Sequence, residues 1–232
     1  MFTVALIGPD GAGKTTVARR LAAEHPRSFS YLYMGVSLES SDRLLPTSRA
    51  IRALRRRSGS APQEVGRAAG GGGAARGRRA STPRALLALV NRLAEEWYRQ
   101  LLAWRSVRHG RVVLFDRHFF ADYHATDVAT GSRSSIARRL HGLLLSRLYP
   151  KPDLVIYLDA PPAVLLARKG EGTLDSLAER RREYEALAAI TEHFATVDAA
   201  SELEALVGAV LREICGFARE HRGRRLEACP DA

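Results

Sequence analysis

The chain has 232 residues, 46% of them hydrophobic, and a formal charge of +11. That is apolar material for one α/β core, and a single domain over residues 1–218 is expected, with a polar tail over 219–232. Two cysteines, Cys215 and Cys229, are too few and too unfavourably spaced for a disulfide framework or a zinc site, which points to a reducing, cytoplasmic location.

In chain order, Phe2–Ile7 is an apolar run without a basic segment before it and far too short to span a membrane, so no membrane partner is expected. It reads as a buried strand feeding the glycine-rich turn that starts at Gly8. A helix is expected from Lys14 to Glu24, then a strand over Tyr31–Met34. Residues 58–83 follow, with four consecutive glycines (Gly70–Gly73), many alanines and arginines, and no aromatic residue. Such a segment cannot bury enough surface to offset its ordering entropy, so a mobile insertion is expected there.

Most of the excess charge is local, because nine arginines face one acid, Glu64, between Arg52 and Arg84. A basic arm of this kind could track nucleic-acid phosphates, but it carries no aromatic side chain on which a base could stack, so nucleic acid is not the expected partner. Beyond it, Leu86, Val90, Leu93, Trp97, Leu101 and Trp104 recur at helical spacing, which predicts a helix over about 84–108 with that stripe against the core. Residues 111–115 form the next strand, ending at Asp116-Arg117. A helix carrying Ile136, Leu140, Leu144 and Leu148 is closed by Pro150 and Pro152, and a strand covers Leu154–Leu158. Pro161 starts another helix. Ser176 with Glu179 and Ser201 with Glu204 are spaced as capping boxes, on either side of a weak strand at Phe194–Val197.

Apolar strands alternating with helices predict a parallel sheet covered on both faces, with ligands bound beyond the strands' carboxyl ends. Residues 8–15, Gly8-Pro9-Asp10-Gly11-Ala12-Gly13-Lys14-Thr15, fit G-x-x-x-x-G-K-[ST] between a strand and a helix, the context that a phosphate-binding loop requires. Glycine lets backbone N–H groups turn toward phosphate oxygens, and the helix N-terminus adds its dipole. Gly8, Asp10, Gly11, Ala12, Gly13, Lys14, Thr15 and Thr16 are therefore the candidate ATP-binding residues. Lys14 would neutralise the β and γ phosphates, and the Thr15 hydroxyl would ligate Mg²⁺. Asp116 would hold Mg²⁺ as well, and Arg117 offers a planar fork to an acceptor phosphate. His118 is expected to be structural. Arg168, on the glycine-flanked turn Arg168–Gly172, would close over the nucleotide, and one arginine of residues 179–182 would point toward phosphate.

Together, GPDGAGKTT (8–16), DRH (116–118) and PDLVIYLDAPPAVLLAR (152–168) resemble the thymidylate kinase family of nucleoside monophosphate kinases. The resemblance covers residues 1–24 and about 111–200. It implies a P-loop NTPase three-layer sandwich, with a five-stranded parallel sheet, helices on both faces and a small lid. It also implies ATP and Mg²⁺ as cofactors, Lys14 and Thr15 at the phosphates, Arg117 at the acceptor phosphate, Arg168 in the lid, and a homodimer. Two family segments are absent. Tyr33-Met34-Gly35-Val36-Ser37 stands where members that phosphorylate dTMP carry Arg-Glu-Pro-Gly, and Phe120-Ala121-Asp122-Tyr123-His124 stands near the place of Tyr-Gln-Gly. A nucleoside monophosphate is the expected acceptor, and a hydroxyl of another small molecule, with Asp116 or Asp122 as base, is the alternative.

Overall fold

A computed structural model describes residues 1–34, 82–118, 149–170 and 172–229. The elements are β1 (Thr3–Ile7), α1 (Lys14–Glu24), β2 (Phe29–Tyr33), α2 (Thr82–Arg108), β3 (Val112–Asp116), β4 (Leu154–Asp159), α3 (Pro162–Lys169), α4 (Leu174–Glu185), a 3₁₀ turn (Ala186–Ile190), β5 (Phe194–Asp198) and α5 (Leu203–Arg222). Of the insertion predicted over 58–83, residues 58–81 lie outside the described residues, as does the helix predicted around Ile136–Leu148, whereas Thr82 and Pro83 belong to α2.

The five strands form one sheet in the order β2-β3-β1-β4-β5, with every neighbouring pair parallel. This confirms the α/β sheet expected from alternating strands and helices. Side chains alternate across it. Val4, Leu6, Leu114 and Ile156 pack with Val17 and Leu21 of α1 and with Val210, Ile214 and Phe217 of α5. Ala5, Ile7, Val113, Phe115 and Tyr157 pack on the other face with Ala103 of α2, Tyr184 of α4 and Leu187. Both faces are covered, so the inner strands can be apolar throughout.

Three local expectations change. The stripe predicted to bury α2 is turned outward, with Val90 54%, Trp97 42%, Leu101 57% and Trp104 39% exposed, while Glu95, Glu96, Arg99, Gln100 and Ala103 are buried. Periodicity shows that a helix has two faces but not which of them meets the sheet. Ser176 is the third residue of α4 rather than its cap: Thr173 caps the helix, and Ser176 completes the box by accepting from the Thr173 backbone N–H. At α5 the cap position is Glu202, without a side-chain cap bond, and the Ser201 hydroxyl donates to the Asp198 carbonyl instead.

Part of the segment expected as a polar tail is also packed. After Gly223 reverses direction, Leu226 and Ala228 enter the core that holds Phe2 and Phe217, and Cys215 is bonded to Cys229 across 14 residues. This corrects the expectation that the cysteines would not pair, and with it the ground for inferring a reducing compartment. No helix among the described residues is long and apolar enough to cross a membrane.

Candidate active site

Gly8 leaves β1 at φ 142°, and a Cβ there would lie 2.6 Å from the Leu158 carbonyl oxygen of β4. Only glycine lets the chain turn so close beneath the neighbouring strand. Gly11 and Gly13 also have positive φ (94° and 90°), a backbone that glycine takes readily and that suits a loop whose N–H groups cradle an anion. Gly13 occupies the cap position of α1 without a side-chain cap, and the first turn holds no acid. The helix therefore presents N–H groups and the positive end of its dipole to an anion. Lys14 is buried, its ammonium donating to the Gly8 and Pro9 carbonyls at 2.8 and 2.7 Å.

β3 delivers the second group of residues. Leu6 is in register with Asp116, so the end of β3 lies beside the start of the loop. Asp116 is 1% exposed. Its Oδ2 accepts from the Thr15 hydroxyl at 2.6 Å and the Tyr31 hydroxyl at 3.0 Å, whereas Oδ1 has no hydrogen-bond partner among the described residues. A buried carboxylate oxygen left over beside a threonine hydroxyl suits a hard divalent cation that takes oxygen ligands.

Arg117 is the one non-glycine residue with positive φ (66°) among those described, a costly conformation for a side chain of its size. The turn carries its guanidinium over the loop into an ion pair with Asp10. Asp10 also faces Lys14 Nζ at 3.8 Å and Lys169 Nζ at 3.5 Å. Burial would raise the Asp10 carboxyl, but Arg117, Lys14 and Lys169 outweigh it and hold it below its ordinary value, ionised at neutral pH. Three cations from three elements thus meet at one carboxylate.

The next residue turns inward. His118 lies against Phe115 and Tyr149, and burial pushes it down to about 3, so it is a neutral imidazole and contributes no cation.

The lid side is divided differently from the expectation. Arg168 lies beside Gly11 at its Cβ, but its guanidinium is engaged elsewhere: its Nη1 donates to the Ala199 carbonyl at 2.7 Å and its Nη2 to Ala200 at 3.4 Å, tying α3 to the connection between β5 and α5. Its neighbour Lys169 supplies the cation near the loop. Of the arginines on α4, Arg181 is bound by Asp159 through two bonds at 2.6 and 2.5 Å, and the charge of Arg180 is felt at Asp10. Thr15 and Thr16 open the α1 helix on its exposed side.

Sequence reasoning missed two groups. Tyr31 reaches Asp116 across 85 residues, a contact visible only once strand register is known. The buried Glu95, Glu96, Arg99 and Gln100 of α2 were hidden by the apolar stripe opposite them, although their i, i+1, i+4, i+5 spacing marks one polar face. Arg99 is fully buried; desolvation lowers its pKa, partly offset by Glu95, Tyr149 and Tyr33.

The sheet order, the glycine loop entering α1, and Lys14, Thr15 and Asp116 gathered at one edge are those of the P-loop NTPase three-layer fold. No protein-family model matches the chain. Among solved structures it is similar to a deoxyadenosine kinase from M. mycoides, determined with the products dCMP and a flexible dCDP bound. The two share 14% identity at a TM-score of 0.53, over 91% of this chain and 98% of that one.

Proposed function

We propose that the protein is an ATP- and Mg²⁺-dependent phosphotransferase that moves the γ-phosphoryl group to a phosphate oxygen of a nucleoside monophosphate. The observation that carries this reading is the gathering of Lys14, Arg117 and Lys169 around the Asp10 carboxylate, over an uncapped helix N-terminus. Cations so arranged are held ready for more than one phosphate group.

In this reading the backbone of residues 8–13 and Lys14 would hold the donor's phosphates, and Thr15 and Asp116 would hold Mg²⁺, which would offset negative charge in transfer. Arg117 binds the acceptor phosphate through its planar fork. An acceptor oxygen forms the new bond to the γ-phosphorus as the bond to the bridging oxygen breaks, and the electron pair leaves on ADP. The acceptor is already ionised, so no general base is required. Glu95, Glu96, Arg99 and Gln100 would wall the acceptor side, and Arg168 would steady the nucleotide side through its bonds to Ala199 and Ala200. The protein is further proposed to act as a homodimer, which sedimentation measures directly.

A second reading takes the acceptor to be the hydroxyl of a nucleoside, and the likeness to a deoxyadenosine kinase favours it. A carboxylate must then accept the hydroxyl proton, which makes an acid indispensable beyond metal binding.

The test is ADP release from ATP and Mg²⁺ over a panel of dTMP, other nucleoside monophosphates, and unphosphorylated nucleosides and sugars. Turnover is expected with at least one monophosphate, and Lys14→Ala should lower it by at least about a hundredfold. Turnover with nucleosides alone would replace the first reading by the second. No turnover with any acceptor would refute both.

A further inference from the structure

Tyr31 sits on β2 in register with Leu114, two residues before Asp116, so its ring lies on the α1 face of the sheet. Packing accounts for the ring. It does not account for the hydroxyl, because phenylalanine would fill the same half-buried space without it. That hydroxyl donates to Asp116 Oδ2 at 3.0 Å, the oxygen that also accepts from Thr15 at 2.6 Å. With both donors on one oxygen, the carboxylate's rotation is fixed and Oδ1 remains for another partner. Arg19 holds the ring in turn, with its guanidinium carbon 5.2 Å from the ring centroid.

We infer that Tyr31, steadied by Arg19, is a positioning residue that orients the Asp116 carboxylate so that Oδ1 faces a divalent cation. This inference rests on the proposed metal role of Asp116. Partners that orient a metal ligand commonly change metal affinity by ten- to a hundredfold when removed. The effect of Tyr31 should fall on the metal and not on the nucleotide.

The experiment measures Mn²⁺ binding by electron paramagnetic resonance in the presence of β,γ-methylene-ATP, for the wild type, Tyr31→Phe, Asp116→Asn and the double variant. Binding of the analogue alone in EDTA and the melting temperature are recorded alongside. Tyr31→Phe is expected to weaken Mn²⁺ about tenfold or more while leaving metal-free analogue binding within about twofold. In the Asp116→Asn background the same change should add nothing, because its effect passes through that carboxylate. If Asp116→Asn weakens Mn²⁺ and Tyr31→Phe does not, the inference about Tyr31 is wrong while the metal site stands. If Asp116→Asn leaves Mn²⁺ affinity unchanged, the metal reading fails and the inference goes with it. Should Tyr31→Phe lower metal-free binding and stability together, Tyr31 is only a packing residue; Arg19→Gln, a change at an exposed position, repeats the Mn²⁺ measurement without opening the core.

Discussion

Replacing Asp10 by asparagine tests whether the carboxylate at the centre of the site competes with phosphate. The change removes one negative charge that faces Arg117 in contact, Lys14 at 3.8 Å and Lys169 at 3.5 Å. A unit charge at about 4 Å interacts by roughly 4 kcal/mol at an effective dielectric constant of 20. Asp10 is 31% exposed, however, so water and salt screen most of that and about 1–2 kcal/mol of net competition is left. An incoming anion regains this energy when it no longer has to displace Asp10, which corresponds to roughly five- to thirtyfold tighter binding. Titration calorimetry with pyrophosphate, without metal, should show this gain in Asp10→Asn at low salt and a smaller gain at high salt. If the variant binds pyrophosphate no more tightly than the wild type at low salt, Asp10 is not a stand-in for phosphate.

Other consequences are open to direct measurement. Gly8→Ala forces a side chain into positive φ within 2.6 Å of the Leu158 carbonyl oxygen and should lower unfolding free energy by on the order of 3 kcal/mol in denaturant titration. Replacing both Cys215 and Cys229 by alanine frees a loop of 14 residues and should cost about 3 kcal/mol in the chain-entropy view, seen as a lower melting temperature. At Asp159 burial raises the carboxyl, but the bonds from Arg181 and Tyr157 outweigh it and hold it below its ordinary value of 3.8. Its contribution is therefore present above that value and is lost as pH falls through the folded one. Asp159→Asn should be less stable near neutral pH and lose less stability on acidification, as read by melting temperature against pH.

The phosphate loop was legible because its geometry is written in residue types: only glycine tolerates the backbone at Gly8 and Gly13, and the lysine and threonine follow at fixed offsets. The strands were legible because four of them are apolar runs bounded by turns. The orientation of α2 was not, since its outward stripe and its buried Glu95–Gln100 face have the same period. Tyr31 and Asp116 meet through the pairing of β2 with β3, and Arg168 turns toward Ala199 through the placement of β5. These are properties of register, to which residue order gives no direct access. The Cys215–Cys229 pair escaped for a similar reason, because the chain reverses at Gly223 to bring the two together.

The place of β1 in the sheet sets a timetable for synthesis. Of the five described strands, the first to leave the ribosome is the middle one, flanked by β3 and β4. The turn at Gly8 closes under Leu158, so the loop has no floor until the chain has grown through β4. At ~5–20 residues per second that interval is roughly eight to thirty seconds, and until β3 emerges the apolar strand waits without either neighbour. Late, non-local pairing of this kind makes folding slow and leaves the nascent protein dependent on protection from aggregation.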